Sequence, residues 1–462
     1  MKKLVSFLFT ALLLNASNTV NSNPLTLEEA IEILKSQNLE VKIASIDVSS
    51  AKEEVDTATG NHYGKLEFIQ DVARSNDAGN VFGFKLTSRE ADFGDFGFNE
   101  FLSQMGNLGT PAGQQDLLAT QPKDLNYPED RNFFQTKLKY EVPLFTGFQI
   151  TSYENIMHSM VKMKTLEKEQ IINEKVYQIR KSFFDMALLK NSQKNLQTIY
   201  DNIETLEDMT NSMLEVGYAK KVDLLEVQAK KGNVKRLLNQ IESNKQLLYH
   251  YISFLLNQKV IKINTPSYDV PMPTLNNQEI LDSNLDIQRA STGLIVRKNM
   301  IDVSKSSYYP MIGAFAEIAT ADDTFLGDAR DHGAYTVGAR LSWNLFNGGI
   351  DSANLEKAKL EHLKTQTQVQ LAKKGIELKI AKIRTEIISF DSDITSLENE
   401  LILANEIYKN YEGRYLEKLS SMSDVIIKQS VQIQKILELQ MIKNKRNERI
   451  FALGKLANGE QN

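Results

Sequence analysis

Cysteine is absent from all 462 residues. No disulfide can brace the fold and no lipobox cysteine can carry an acyl anchor, so stability must come from packing or oligomerisation. Five histidines, His62, His158, His250, His332 and His362, are scattered along the chain with no i, i+4 pairing among them. No nucleophile elbow or phosphate loop is present either, so neither an enzyme nor a cofactor is expected. No run reaches the roughly 18–20 apolar residues of a spanning helix. Lys and Arg number 54 against 59 Asp and Glu, a net charge of −5 that argues against nucleic acid as a partner. Proline is scarce, nine in all, and three of these (Pro266, Pro271 and Pro273) crowd into one short stretch.

The N-terminus has the build of an export signal. Lys2 and Lys3 precede an apolar run from Leu4 to Leu14, and small and polar residues follow to Ser22. A run of eleven residues, nine of them apolar, is too short to span a membrane, so residues 1–22 are expected to be a cleaved signal peptide. Loss of the two lysines takes the net charge to about −7.

The chain also says one thing twice. VPLFTGF at Val142–Phe148 returns as WNLFNGG at Trp343–Gly349, with Leu144 and Leu345 standing 201 positions apart. VDLLEVQ at Val222–Gln228 returns as SDVIIKQ at Ser423–Gln429, with Asp223 and Asp424 at the same offset of 201. SQNLEVKIAS at Ser36–Ser45 matches DSNLDIQRAS at Asp282–Ser291 at an offset of 246, so the first copy holds 45 extra residues. A fixed spacing of this kind marks an internal duplication. Two repeats are expected, 23–262 and 277–462, with the proline-rich stretch 263–276 as linker.

In each repeat a helix comes first and two period-2 segments follow it. In Phe134–Val142, Phe134, Leu138, Tyr140 and Val142 share one face while Gln135, Lys137, Lys139 and Glu141 share the other. Tyr335–Trp343 alternates likewise, and Lys65–Ala73 and Met311–Thr320 do so more weakly. Strands near ten residues with aromatic ends, one apolar face and one charged face fit a transmembrane β-barrel. A soluble half-buried sheet alternates too. Four strands cannot close a barrel, and an open edge is not viable in lipid. Copies must therefore share one barrel, and three copies give twelve strands. The extra residues fall in a long loop at 74–132.

Heptad stretches follow the strands. Ile376, Ile380, Ile383, Ile387, Phe390, Ile394, Leu397, Leu401, Ala404, Tyr408, Tyr411 and Tyr415 are spaced by alternating fours and threes, a coiled-coil seam. A helix over about 349–418 spans roughly 100 Å at 1.5 Å per residue. The tyrosines are read first as seam packing. On the partner helix Lys231 and Lys245 interrupt the corresponding pattern. The helices turn back at Gly217-Tyr218-Ala219 and at Leu419-Ser420-Ser421, and Ser421 with Asp424 has capping-box spacing.

Signal, strand–helix repeats and long hairpins together resemble the TolC-like outer-membrane efflux proteins. The resemblance is carried by PLFTG at Pro143–Gly147, NLFNGG at Asn344–Gly349, the NLE and NLD segments, EVGYAKKVDLLEVQA at Glu215–Ala229 and ALGKLANG at Ala452–Gly459. VFGFKL, ADF and LNYPEDRNFF in the 74–132 loop look like one branch of that family. It implies a homotrimer in outer-membrane lipid: a twelve-stranded β-barrel, four strands per chain, joined to a long α-helical coiled-coil tunnel in the periplasm. It implies a periplasmic adaptor protein and, through it, an inner-membrane pump of the RND, ABC or MFS type. The chain itself would be the passive exit channel of a tripartite efflux or type I secretion system. Drug, metal and protein cargoes stay open. At the second tip the family's pattern is matched by Tyr415 and Asp424, the expected pore constriction, with Asp424 equally readable as a helix-capping residue. Lys418, Ser420 and Ile427 replace the family's Gly, Arg and second Asp. Adaptor docking would map to Val216, Gly217 and Tyr218 and to Lys418, Leu419 and Ser420, with Asp223 and Glu226 as the acids of the first tip. The other reading kept open is a structural, adhesin-like trimeric coiled coil; a simple diffusion porin is contradicted by the helices.

Overall fold

A computed structural model describes residues 24–266 and 270–458. The expected signal peptide and residues 267–269 of the linker lie outside the described residues. The described residues divide into two compact units, one drawn from 24–50, 161–266, 270–294 and 364–458, the other from 51–160 and 295–363. No helix among the described residues is long and apolar enough to cross a membrane.

The first unit is helical. α1 (Leu27–Gln37) and the start of α2 (Leu39–Gly60) join most of α7 (Gln149–Glu215) and all of α8 (Lys221–Leu256). α9 (Asn277–Ser283) and the start of α10 (Leu285–Lys305) join most of α11 (Ile350–Leu416) and all of α12 (Met422–Leu456). α7 and α11 are both 67 residues long. Two separate cores flank the helix starts. Leu34, Ile179, Phe183, Ile252 and Leu255 are fully buried in one, and Ile280, Ile380, Ile450 and Leu453 in the other. A buried asparagine locks each. Asn38 Nδ2 donates to Leu255 O at 2.8 Å and its Oδ1 accepts the Val41 N–H at 3.1 Å. Asn284 repeats both bonds, to Leu456 O at 3.1 Å and from Ile287 N–H at 3.2 Å. Leu255 and Leu456 are themselves 201 positions apart.

A third core joins all four long helices. Leu196, Ile203, Val227, Val234, Tyr408, Tyr415, Val425 and Ile433 belong to it. The heptad seam of α11 is thus buried as its spacing requires, with Ile380, Ile383, Ile387 and Leu397 all inside. Lys231, which breaks the α8 seam, is held by Glu204 at 2.8 Å and Glu207 at 2.9 Å across the hairpin. Those two carboxylates raise its pKa above the ordinary lysine value. A second, sparser apolar seam remains exposed on α11. Leu371 and Leu378 fall at one heptad position, and Ile388 and Ile402 three residues on in the same frame. On a coiled-coil helix this places them opposite the buried seam.

The second unit is built on one antiparallel sheet in the order β1-β2-β3-β4. The strands are β1 (Lys65–Ser75), β2 (Arg131–Phe145), β3 (Met311–Asp322) and β4 (Gly333–Ser342). Register puts like with like. Phe68, Leu138, Ile318 and Tyr335 form one row across all four strands, and Leu66, Tyr140, Ala316 and Val337 the next. On the other face Glu67, Lys139, Glu317 and Thr336 form a row. The apolar face is bare: Phe68 is 69% exposed, Val337 72% and Tyr335 81%. On the charged face Lys139 bonds Glu141 at 2.7 Å and Lys137 pairs with Asp71 at 3.4 Å. A cavity of about 440 Å³ lies there, lined in part by Lys139, Glu141, Phe315, Glu317 and Arg340. Pro143, which has no N–H to give, sits beyond the β1 pairing and beside a bulge at Pro143/Phe145. Strand-end aromatics bond the incoming helices: Tyr140 Oη donates to Tyr63 O at 2.7 Å and Trp343 Nε1 to Tyr308 O at 3.2 Å.

The 74–132 segment is a folded element rather than a plain loop. It carries α3 (Ala78–Thr87), α4 (Phe98–Gln104), α5 (Pro111–Ala119) and α6 (Lys123–Asn126). Phe84 stacks on Phe133 of β2 at 4.2 Å, and Lys85 pairs with Asp95. Its six phenylalanines are the apolar groups that make this possible. Phe82 meets Phe96 edge-on at 5.4 Å, and Phe98 stacks with Phe101 at 5.7 Å.

Candidate functional site at the hairpin tips

Both hairpin tips lie in the helical unit and stop their helices alike. Gly217, just past α7, has φ +81°; its N–H donates to Leu214 O at 3.0 Å and that of Tyr218 to Met213 O at 2.7 Å. Lys418, 201 positions later, has φ +65°; its N–H donates to Tyr415 O at 2.9 Å and that of Leu419 to Arg414 O at 2.7 Å. Glycine adopts this left-handed conformation freely, whereas a lysine bears a steric cost of about 1–2 kcal/mol there. The side chain recovers part of it. Lys418 Nζ stands 3.5 Å from the centroid of the Tyr218 ring and so ties one tip to the other. An exposed cation–π contact contributes about 0.5–1 kcal/mol.

The next helices also start alike. Asp223 accepts the Lys220 N–H at 2.9 Å. Asp424 accepts the Ser421 N–H at 3.2 Å and its hydroxyl at 2.6 Å, while Ser421 Oγ accepts the Asp424 N–H at 3.2 Å. The Ser421 hydroxyl, then its N–H, hold the Asp424 carboxyl below its ordinary value of 3.8, with Lys428 and Arg414 adding to this. Asp424 is therefore an ionised cap at neutral pH, only partly covered in the single chain. Glu226 lies half-buried one turn after Asp223.

The expected docking residues are on the surface. Val216 and Tyr218 are each 64% exposed and Leu419 is 62%. Ser420 Oγ donates to Tyr411 O at 3.2 Å. Arg414 lies 5.5 Å over the Tyr411 ring and donates to Leu419 O at 3.5 Å.

Tyr415 departs from the pore-lining expectation. It is 6% exposed and packs in the core shared by all four helices. Burial raises its pKa above the tyrosine norm. Its hydroxyl has no well-formed hydrogen bond among the described residues; the nearby Thr210 hydroxyl donates to Leu206 O at 2.7 Å. Tyr408 is buried too, donating to Glu412 at 2.9 Å. The stripe is seam packing.

No protein-family model matches the sequence, and no curated protein does. Solved structures do match. CusC superimposes with a TM-score of 0.76 over 93% of this chain and 91% of its own, at 12% identity. The Campylobacter jejuni CmeC outer membrane channel gives 0.73 over 94% and 85%, at 13% identity. The Vibrio cholerae outer membrane protein VceC gives 0.71 over 94% and 96%, at 15% identity. The fold is that of the TolC-like outer-membrane channels. At 12–15% identity the likeness lies in the backbone path. Lys418 thus stands in the left-handed turn of a TolC-like tip with a side chain where Gly217 has none.

Proposed function

We propose that this chain forms, as a homotrimer in outer-membrane lipid, the exit channel of a tripartite efflux or type I secretion system. The observation that carries the proposal is the bare sheet. One face presents four-strand apolar rows and the other charged rows, and β1 and β4 each leave an edge unpaired in the single chain. Such a sheet is viable in lipid only when neighbours close it, and three copies close a twelve-stranded barrel. The exposed second seam of α11 gives the helical unit an apolar face for the same neighbours. The matched 67-residue helices and the twin bonds of Asn38 and Asn284 support descent from a duplicated half.

In this reading the helical unit lies in the periplasm. The tips at Val216–Tyr218 and Lys418–Ser420 meet a periplasmic adaptor, and an inner-membrane pump behind it supplies the energy. The chain itself catalyses no step. Three Asp424 carboxylates ring the constriction, and the Lys418–Tyr218 contact holds the tips of each chain together. The test is membrane fractionation with chemical cross-linking of the purified protein in detergent. A trimer from the outer membrane is expected; a monomer or a protein of another compartment contradicts the reading.

A further inference from the structure

Three side chains from three segments meet where the folded insertion reaches the β3–β4 loop. Glu90 follows α3, Asp322 ends β3 and His332 precedes β4, and one ligand atom of each lies within 4.8 Å of the other two. Asp322 is only 7% exposed. The geometry points to a divalent-cation site of the zinc or manganese class, held by His332, Asp322 and Glu90, that clips the insertion to the β3–β4 loop.

The donor set is one imidazole and two carboxylates, the mixed N/O chemistry that suits such ions. His332 Nδ1 stands 3.0 Å from Asp322 Oδ2. This is a hydrogen bond, and the loop donors Asp328 N–H (2.8 Å to Oδ2) and Thr324 N–H (3.1 Å to Oδ1) fix the Asp322 carboxylate. Its length matches the roughly 3.0–3.4 Å between two ligands at about 2.1 Å from one ion, so an ion can replace the proton between them without moving either residue. Glu90 is anchored through Oε2, which accepts from Ser88 Oγ at 2.6 Å and from Arg131. Its Oε1 makes no hydrogen bond among the described residues and is free to ligate. Charge favours a cation as well. Arg131 offsets one carboxylate, which leaves one negative charge when His332 is neutral. The loop itself adds Asp323, Asp328 and Asp331 against Arg330. A clip across a long insertion stabilises by closing a large loop. Remaining corners would be filled by water, since His332 and Glu90 are only half-buried.

The site does not rest on the channel reading, and its test is binding, not conduction. Untagged full-length protein in detergent, stripped with EDTA and dialysed, is titrated calorimetrically with Zn²⁺ and Mn²⁺. One saturable ion per chain is expected, with trypsin cleavage at Arg89 slowed when it is bound. His332→Gln and Glu90→Gln should each weaken binding at least tenfold. A separate histidine–carboxylate cluster, His62 and His158 at 3.5 and 4.0 Å from Glu154, is the control. The double variant His62→Gln/His158→Gln should bind as the wild type does. No saturable binding by the wild type, binding that survives His332→Gln, or loss only in the double variant overturns the proposal. So does protection of Arg89 that follows pH and ignores metal, which would make His332–Asp322 a proton-linked pair.

Discussion

Lys418 and Tyr218, 200 residues apart in sequence, meet at 3.5 Å as cation and ring. Two opposing terms act on Lys418, the steric cost of its φ of +65° and the gain of the ring contact. Substitution separates them. Lys418→Gly removes both and should change stability by less than about 1 kcal/mol. Lys418→Ala keeps the cost and loses the contact, so it should be the less stable of the two by about 1 kcal/mol. A double-mutant cycle of Lys418→Gln with Tyr218→Leu should give a coupling of about 0.5–1 kcal/mol in urea unfolding. Zero coupling would leave the pair as mere neighbours.

Ser421 and Asp424 make the second tip sensitive to acid. Ser421→Ala should cost about 1 kcal/mol through the lost cap. The folded Asp424 carboxyl sits below 3.8, so its stabilising effect is present above that pH and fades as pH falls through the lowered value. Cation preference through a ring of Asp424 should likewise be lost in acid, and at a higher pH than the cap of a single chain, because three neighbouring carboxylates raise one another's pKa. Reversal-potential measurements check this, with Asp424→Asn expected to weaken the preference at neutral pH. Tyr415→Phe, at a buried ring whose hydroxyl lacks a well-formed hydrogen bond among the described residues, should leave selectivity unchanged and not lower stability.

The two faces of the sheet should tolerate charge differently. Val337→Arg places a guanidinium on the apolar face and should destabilise the lipid-embedded protein by about 2–4 kcal/mol. Thr336→Arg, one residue away on the charged face, should cost little. Equal effects, measured by unfolding from vesicles, would mean that neither face meets lipid.

Gly338 lies directly across from Phe315, and a Cβ there would fall 2.6 Å from Phe315 Cζ. Gly338→Ala should therefore cost about 1–3 kcal/mol by displacing the ring. Adding Phe315→Leu should recover part of that loss, giving a less than additive double variant in the same unfolding assay.

The sequence already shows whatever its periodicity or spacing encodes. Alternation in Phe134–Val142 places a strand there, and the 4-3 spacing from Ile376 places a seam, because both depend on neighbours along the chain. The Ser421–Asp424 cap is local for the same reason. Tyr415 was legible only as an ambiguity, since a seam residue and a pore residue look alike until the third and fourth helices are placed around it. The inner structure of the insertion was hidden because its phenylalanines have no period. The meeting of Glu90, Asp322 and His332 was hidden because it depends on register. Pairing of Phe134 with Asp322 sets β2 against β3, and that same pairing brings Arg131 and its partner Glu90 close to Asp322.

Single-channel recording of the purified mature protein in a planar bilayer, with cross-linking of the same sample, tests the proposed conduit most directly. A cross-linked trimer with small, cation-selective conductance is expected, the selectivity weakened by Asp424→Asn. A membrane-competent sample with neither trimer nor conductance would contradict it and leave a structural coiled-coil protein on a channel fold.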